Sequence, residues 1–407
     1  MSKQLIVIGG GAAGFFCAVN AARMDRSLKV TIIEKSNKLL SKVKVSGGGR
    51  CNVTHACFDI AEMSKRYPRG QHFVKKAFHQ FFTTDTISWF EERGVKLKTE
   101  DDGRMFPITD SSQTIIECLL KEANKFGVEI LMNKEVKSLS MINGEWTIKL
   151  SDSRLLTSDY VCIASGGYPK SSMFDWLKEL GHTIEEPVPS LFTFNLPKHP
   201  ITKLMGVSVE KAKVKIQNSK LEEEGPILIT HWGLSGPAVL RLSAWGAREL
   251  KIKNYELRIN INWLPDYNEE TLRKKFQELR TKNASQKIVN KNSFGLPSRL
   301  WEFFAEQSGI KNEWRWADLP SAEQNKFIKN LCSYECEVKG KTTFKEEFVT
   351  AGGIKLNEVD ANTMMSKKVA DLFFAGEVLD VDGITGGFNF QHAWTSGFVA
   401  AKSIAES

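Results

Sequence analysis

Three glycine-rich segments carry the chemistry legible in this chain. In the first, Gly9, Gly11 and Gly14 stand in the run Gln4 to Gly14, and Glu34 ends the next apolar stretch. Glycines at this spacing provide, in order, a tight turn, a backbone that can approach a pyrophosphate, and close packing of a helix on a strand. The N–H groups of Ala12 and Ala13, at the start of that helix, suit phosphate oxygens, as does the positive end of its dipole. Glu34, followed by Lys35, lies about 20 residues beyond Gly14, where a carboxylate accepts ribose hydroxyls.

The second segment reads Ser46-Gly47-Gly48-Gly49-Arg50-Cys51-Asn52. Three successive glycines let the backbone approach a flat or anionic ligand. Arg50 offers a bidentate fork for a phosphate or carboxylate, and Asn52 offers a polar contact to a ring edge. Lys42 lies just upstream. The third segment runs from Phe373 to Asn389. An apolar strand delivers Gly376 and Glu377, and Gly386, Gly387, Phe388 and Asn389 lead into a helix expected from about Phe390. The N-terminal dipole of that helix favours negative charge. Glu377 and Asp382 are candidate ligands of a ribityl chain or pyrophosphate. Among the histidines, His55, His231 and His392 sit beside glycine-rich or motif segments, His231 next to Gly233 to Pro237, and are candidates for proton transfer. His392 is the best placed of them to be a polar catalytic group beside a ligand. No metal-ligand spacing occurs among the histidines or the seven cysteines.

The elements that must position these residues follow from periodicity. Leu5 to Ile8 and Leu28 to Ile33 read as buried parallel strands around a helix from Ala12 to Met24. Two helical pieces lie between His72 and Arg93, with Gly94 as their stop. A hairpin from Lys96 to Pro107 turns at Asp102-Gly103. A helix capped by Ser111 or Ser112 runs to Phe126, with Gly127 past its end. Val128 to Leu131 is a further strand, and Glu145 to Leu150 belongs to a meander. Val161 to Ala164 is another buried strand, ending in Ser165-Gly166-Gly167. Val369 to Ala375 is a short strand near the end of the chain.

At Pro187-Val188-Pro189 the composition shifts. Val207 and Val209 alternate on odd positions, whereas Ala212, Val214 and Ile216 alternate on even ones, which predicts a β-bulge. Leu257, Ile259, Ile261 and Trp263 form another alternating strand. Helices follow at 268–280, 297–307 and 321–332, the last with Ser321 and Gln324 as a capping box. Gly233 to Pro237 opens a helix, with Pro237 in its first turn. The simplest organisation is an α/β nucleotide-binding domain formed by 1–189 and 346–407. An insert at 190–345 interrupts it, as a small β-barrel or sheet followed by helices.

The chain has 407 residues, with 42% hydrophobic and 26% charged side chains, as in a globular protein with a sizeable core. The net charge of +8 is mild and does not by itself call for a nucleic-acid partner, so none is expected. An odd number of cysteines argues against a disulfide framework. The first strand leaves no room for a signal peptide, and the apolar stretch Ala12 to Val19 is too short to cross a bilayer. A reduced, cytoplasmic protein without membrane attachment is expected. Cys51 and Cys57 are spaced C-x5-C, unlike the redox pair of flavin-linked disulfide reductases, and no second G-x-G-x-x-G domain is present. Cys51 therefore reads as a small packed side chain.

Five ordered motifs together resemble one bacterial flavoprotein family. They are Gly-Gly-Gly-Ala-Ala-Gly (9–14), the 46–52 loop, Gly-Leu-Ser-Gly-Pro-Ala (233–238), Val-Thr-Ala-Gly-Gly-Ile (349–354) and Ala-Gly-Glu-Val-Leu-Asp-Val-Asp-Gly-Ile-Thr-Gly-Gly (375–387). The family is the BaiN/RdsA-type NAD(P)/FAD-dependent oxidoreductases, also labelled aminoacetone-oxidase-like. The resemblance spans nearly the whole chain. It implies FAD, a two-part Rossmann-like domain of the GR2 type, and an inserted domain over the flavin. It places Glu34, Lys42, the 46–52 loop, the strand end Ala164-Ser165-Gly166 and the 376–389 loop at FAD, with the backbone of Val136 at the adenine. Two positions depart from the family pattern: Leu40 stands where glycine is usual, and His392 where tryptophan is frequent.

The activity so implied is hydride transfer between flavin N5 and a small organic substrate. NAD(P)H is the expected reductant, binding transiently in the same cleft because only one dinucleotide fold is apparent. A flavin-containing amine oxidase using oxygen, and a flavin-bound RNA-associated or regulatory protein, are the alternatives.

Overall fold

The computed structural model describes residues 2–290, 292–343 and 349–407. The chain divides into two compact units, Met1–Ser190 with Phe344–Ser407, and Leu191–Thr343. The second boundary expected from sequence, at 345/346, lies outside the described residues.

The first unit is built on a five-stranded parallel sheet. Its strands in chain order are β1 (Gln4–Ile8), β2 (Lys29–Ile33), β3 (Glu129–Leu131), β4 (Tyr160–Ile163) and β5 (Leu372–Phe374), and their spatial order is β5-β4-β1-β2-β3. All four pairings are parallel. Covered on both faces, β1, β4 and β5 carry unbroken apolar runs instead of alternation, and Leu5, Val7, Val161, Cys162, Ile163, Leu372 and Phe374 are fully buried. The chain leaves β1 toward β2 on one side, whereas β4 and β5 lie on the other. The order therefore reverses between β1 and β4, and a crevice opens at the carboxyl ends of the strands there.

Two helices, α1 (Ala12–Met24) and α2 (Phe388–Ala405), bring the ends of the chain together. They pack against each other at Gly397, where a Cβ would lie 2.7 Å from the Ala13 carbonyl oxygen of α1. Lys3 Nζ also donates to the Ser407 carbonyl at 3.1 Å. The hairpin Leu97–Thr99/Arg104–Pro107, extended by Thr54–His55, flanks this layer, as does the meander Val136–Ile142, Glu145–Leu150 and Leu155–Ser158. The terminal strand is shorter than expected: it is limited to Leu372–Phe374, because the Val369 N–H is taken by Ser366 Oγ.

The second unit is an antiparallel seven-stranded sheet with helices. The spatial order is Tyr334–Lys339, Glu256–Asn262, Ser208–Ile216, Glu222–Ile229, Gly233–Ser235, Thr193–Asn195 and Lys341–Thr342. The first and last strands in this order are separated in sequence by Gly340 alone, so the sheet curls until its ends meet, as in a barrel. The register shifts between Val209 and Ala212, at the predicted bulge. Helices Glu269–Lys282, Ser298–Gln307 and Ser321–Cys332 enclose Trp263, Trp301, Trp316, Phe276, Phe304 and Phe327. The expected capping box at Ser321 does not form: Pro320 is the cap residue, and Gln324 accepts from Arg280 Nη1 at 3.3 Å instead. Pro237 starts its helix as expected, while Gly233–Ser235 just before it is a strand.

Candidate dinucleotide site

The glycine loop after β1 separates into positions the protein needs and one it does not. Gly9 adopts φ +117°, and a Cβ there would lie 2.3 Å from the Ala164 carbonyl oxygen at the end of β4. A Cβ at Gly14 would lie 2.0 Å from the Gly9 carbonyl oxygen. Gly11 differs. It caps α1 at φ −93°, ψ −171°, an extended conformation open to any residue, and a Cβ there meets no atom within 4 Å. Open space therefore lies directly in front of the unpaired N–H groups of Ala12 and Ala13.

Glu34, at the end of β2, faces the same loop. Its Oε2 accepts from Gly10 N at 2.9 Å, and its Oε1 accepts from both Ser36 N and Ser36 Oγ at 2.8 Å. Lys134 N donates to the Glu34 carbonyl at 3.0 Å, which brings Val136, two residues on, alongside this strand end. Lys35 is exposed, with Nζ 5.5 Å from the Tyr168 ring. Across the crevice, Ala164 N donates to the Ile8 carbonyl at 2.8 Å. Ser165 and Gly166 continue from there, and Gly166, at φ +76°, has no atom within 4 Å of a Cβ position.

The 46–52 segment is not a plain loop. A helical turn from Ser41 breaks at Ser46 (ψ 148°), and Gly47, Gly48 and Gly49 are all left-handed, at φ +59°, +69° and +88°. Gly48 and Gly49 also have open space around a Cβ position. Leu40, where the family usually has glycine, is itself left-handed at φ +54°, with its side chain buried. Its backbone shows why glycine suits that position.

Arg50 differs from the expected open fork. Its Nη1 pairs with Glu100 at 2.5 Å and lies 3.6 Å from Asp110, and its guanidinium covers the Phe106 ring at 4.0 Å. Asn52 is likewise engaged: its amide nitrogen lies 3.0 Å from the Thr54 carbonyl, and its oxygen accepts from Gly387 N at 2.9 Å. Cys51 is buried, and burial pushes its thiol up to about 12, against a weaker pull from Ser46. It is therefore no thiolate at neutral pH.

In the third segment, Gly376 N donates to Ser396 Oγ at 2.8 Å. Glu377 pairs with Lys42 through Oε2 and accepts from Thr350 N at 2.8 Å through Oε1. Asp382 was expected beside a ribityl chain or pyrophosphate. It is instead completely buried in an ion pair with both Arg69 Nε and Nη2, and it accepts from Ser190 Oγ at 2.8 Å. Burial pushes its carboxyl up, against the pull of Arg69 and Ser190. With both oxygens occupied, its role in the fold is to anchor this loop.

Asn389 staples the same loop, donating to the Gly383 carbonyl at 2.9 Å and accepting from Gly383 N at 2.8 Å. The Phe388 carbonyl accepts from Tyr67 Oη at 2.6 Å. A Cβ at Gly387 would lie 2.5 Å from the Thr54 carbonyl oxygen. The helix after Gly386 begins at Phe388, two residues earlier than expected.

His392 sits on α2 inside this unit. Its Nε2 lies 3.2 Å from the Gly376 carbonyl oxygen, so Nε2 carries the hydrogen, and Nδ1 is a buried acceptor without a partner among the described residues. Burial lowers its pKa to about 4. At neutral pH it is therefore an uncharged acceptor and not an acid.

The ends of β1, β2, β4 and β5 thus bring Gly9 to Gly14, Glu34, Ala164 to Gly166 and Gly376–Glu377 to one sheet edge. Arg69, Tyr67, Ser190 and Thr350 escaped sequence reasoning. Arg69 and Tyr67 precede a single glycine with no spacing pattern, and Ser190 lies at the composition shift without a motif. Thr350 lies inside the 349–354 motif, where it has no role assigned; it acts partly through its backbone, which no side-chain pattern shows.

Over residues 3–403 the chain matches the HI0933-like protein Rossmann domain. The chain belongs to the HI0933-like family. This is the flavoprotein oxidoreductase family that the five motifs indicate. It is 31% identical over 409 residues to a protein named ribosomal RNA dihydrouridine synthase from Escherichia coli, covering 98% of this chain and 97% of that one. It is 28% identical over 412 residues to a 3-dehydro-bile acid delta(4,6)-reductase from Clostridium scindens, covering 99% of each. Among solved structures, a flavocytochrome c3 fumarate reductase superposes with a TM-score of 0.52 at 15% identity, over 99% of this chain and 78% of that one. A 3-ketosteroid-delta4-(5alpha)-dehydrogenase from Rhodococcus jostii gives 0.52 at 12% identity, over 100% and 97%. At these identities the likeness is one of fold, that of the FAD-dependent oxidoreductases. No helix among the described residues is long and apolar enough to cross a membrane, and no cluster of possible metal ligands occurs among them.

Proposed function

We propose that this HI0933-like protein is an FAD-dependent reductase that saturates a carbon–carbon double bond conjugated to a carbonyl, with NAD(P)H as electron source. The dinucleotide part of this reading rests on Gly11. Neither its backbone angles nor its neighbours require glycine, yet a side chain there would fill the space before the N-terminus of α1. The residues present fit FAD. Ala12 and Ala13 N–H groups would bind its phosphates, Glu34 the adenosine ribose, and the backbone near Val136 the adenine. The 46–52 segment, Ala164 to Gly166 and Gly376 to Asn389 would hold the remainder. Three buried polar atoms of the site without partners among the described residues, Ser165 Oγ, Thr350 Oγ1 and His392 Nδ1, are free to meet a polar ligand.

Bound FAD supplies hydride exchange at N5. The chain's own residues bind and orient it: Lys42 and Glu377 hold each other at the end of β5, and Arg69 and Asp382 fix the loop beyond. The substrate class draws on the two relatives' names. A delta(4,6)-reductase of a 3-dehydro steroid and a dihydrouridine synthase both denote saturation of a double bond conjugated to a carbonyl. Overall, NAD(P)H and one proton add two hydrogens across the double bond and leave NAD(P)+. The relative named for ribosomal RNA brings in a second substrate of the same chemistry, a uracil ring within RNA.

The test begins with the absorption spectrum of the purified protein, where flavin bands and FAD released on denaturation are expected. Anaerobic addition of NADH or NADPH should bleach the flavin. A conjugated enone or uridine-containing ribosomal RNA should then restore the oxidised spectrum faster than oxygen does. A protein that binds no FAD would defeat the proposal, and so would reoxidation by oxygen alone.

A further inference from the structure

The entry to α2 is made of two glycines in conformations that side chains avoid, Gly386 at φ +136° and Gly387 at φ +95°. A pair of such glycines has little stiffness of its own, so its geometry must be imposed from outside. The 50–55 segment imposes it. Asn52 takes the Gly387 N–H, and His55 Nδ1 lies 3.0 Å from the Gly386 carbonyl oxygen. A carbonyl only accepts, so Nδ1 carries the hydrogen and Nε2 is the other, acceptor nitrogen. The ring is pinned twice over. It stacks on Phe388 at 4.7 Å and 28°, and Gly103 of the hairpin lies so close that a Cβ there would be 2.6 Å from Nε2.

With the Gly386 carbonyl and Gly387 N–H both held, the N–H groups of Phe388, Asn389 and Phe390, which have no intrahelical acceptor, keep one direction. We propose that His55 is a positioning residue of the cofactor site, whose Nδ1–H sets the Gly386–Gly387 turn and so aims the first N–H groups of α2 at the ligand. This rests on the reading of the 376–389 loop as part of the FAD site.

Two near-isosteric replacements separate this role from simple packing. His55→Asn places an amide nitrogen where Nδ1 stands, and His55→Gln places one near the position of Nε2. Both remove the ring stack. The readouts are the FAD dissociation constant and the absorption maximum of the bound flavin, with the melting temperature of the apoprotein measured beside them. His55→Asn should retain FAD within about threefold of the natural protein, whereas His55→Gln should lose about tenfold, the worth of one unmade hydrogen bond with its buried carbonyl. His55→Gln should also shift the flavin absorption maximum, while the two apoproteins melt alike. Equal affinities and spectra for the two variants would overturn the proposal, as would an affinity loss that tracks a matching loss of apoprotein stability. Gly11→Ala, measured in the same assay, separates the two claims. If that variant keeps full FAD affinity, the dinucleotide reading itself fails. If it loses affinity while the His55 variants do not differ, only the role of His55 fails.

Discussion

Replacing Gly11 with alanine separates what the fold needs from what a ligand needs. In the protein the new methyl meets no atom within 4 Å, and φ −93°, ψ −171° accommodates alanine without strain. Two small effects remain for the apoprotein. Reduced freedom of the unfolded chain stabilises by about 0.4–1 kcal/mol, and alanine is a poorer helix cap than glycine by a comparable amount, roughly 1 kcal/mol. The two nearly cancel, so the denaturant midpoint and melting temperature of apo Gly11→Ala should match those of the natural protein. FAD binding should not survive so well. The methyl occupies open space before the free N–H groups of α1, and pushing a pyrophosphate back from them should weaken FAD by about 10- to 100-fold, or roughly 1.4–2.8 kcal/mol.

The assay is fluorescence titration of FAD into apoprotein, alongside thermal and urea unfolding without FAD. Gly14→Ala is the contrast, since its Cβ would stand 2.0 Å from the Gly9 carbonyl oxygen, and it should lose stability and binding together. Unaltered FAD affinity in a folded Gly11→Ala protein would refute the placement of the phosphates. A large loss of apoprotein stability would instead show that the fold itself requires this glycine.

Other expectations follow from the same site and its supports. Glu34→Ala removes the acceptor of Gly10 N and Ser36 and, in the proposed complex, the ribose contact. FAD affinity should fall by about tenfold or more, and equal affinity would reject the ribose role. Arg69→Met leaves the Asp382 carboxyl buried with Ser190 alone, which should cost about 3–5 kcal/mol of stability by urea unfolding, whereas Arg69→Met/Asp382→Leu should recover most of it. In Arg69→Met the folded-state pKa of Asp382 rises further above its unfolded value, so the deficit should shrink as pH falls from 8 toward about 5.

Glu358 gives the opposite sign. Burial pushes its carboxyl up, but bonds from Lys368, Thr183 and His182 outweigh this and hold it at about 2. Its contribution is therefore complete above the unfolded value near 4.3 and disappears as pH falls through about 2. Glu358→Gln should cost about 2–3 kcal/mol at pH 7, and the difference from the natural protein should narrow below the unfolded value near 4.3, to about half near pH 3, and close as pH falls through about 2. A deficit that stays constant with pH would show that the carboxylate charge contributes nothing.

What the sequence disclosed and what it hid divide along a physical line. Local backbone demands leave marks in residue type. The strand–helix–strand at Gln4–Ile33, the hairpin turning at Gly103 and the slip between Val209 and Ala212 could all be read, because glycine, capping residues and apolar period record the conformation of the chain they belong to. Long-range pairings leave no such mark. Asp382 and Arg69 are separated by more than 300 residues, and nothing in Asp-Gly-Ile-Thr distinguishes an acid that will be buried against an arginine from one that will face a ligand.

The same holds for Arg50 and Asn52, whose positions beside three glycines suggested ligand contacts. Their partners Glu100 and Gly387 belong to distant segments and take up the groups that sequence left apparently free. The motif therefore marks where backbone must come close to something. Which side chains remain available to a ligand is decided by the whole fold. Among the described residues of the site, the groups that remain unengaged are backbone N–H donors at the starts of α1 and α2 and three buried side-chain atoms, Ser165 Oγ, Thr350 Oγ1 and His392 Nδ1. The charged residues of the motifs are largely engaged by other groups of the protein. A site of this kind holds its ligand through preset backbone direction, and for that reason single glycines and the residues that restrain them, more than the motif acids and arginines, should dominate its response to mutation.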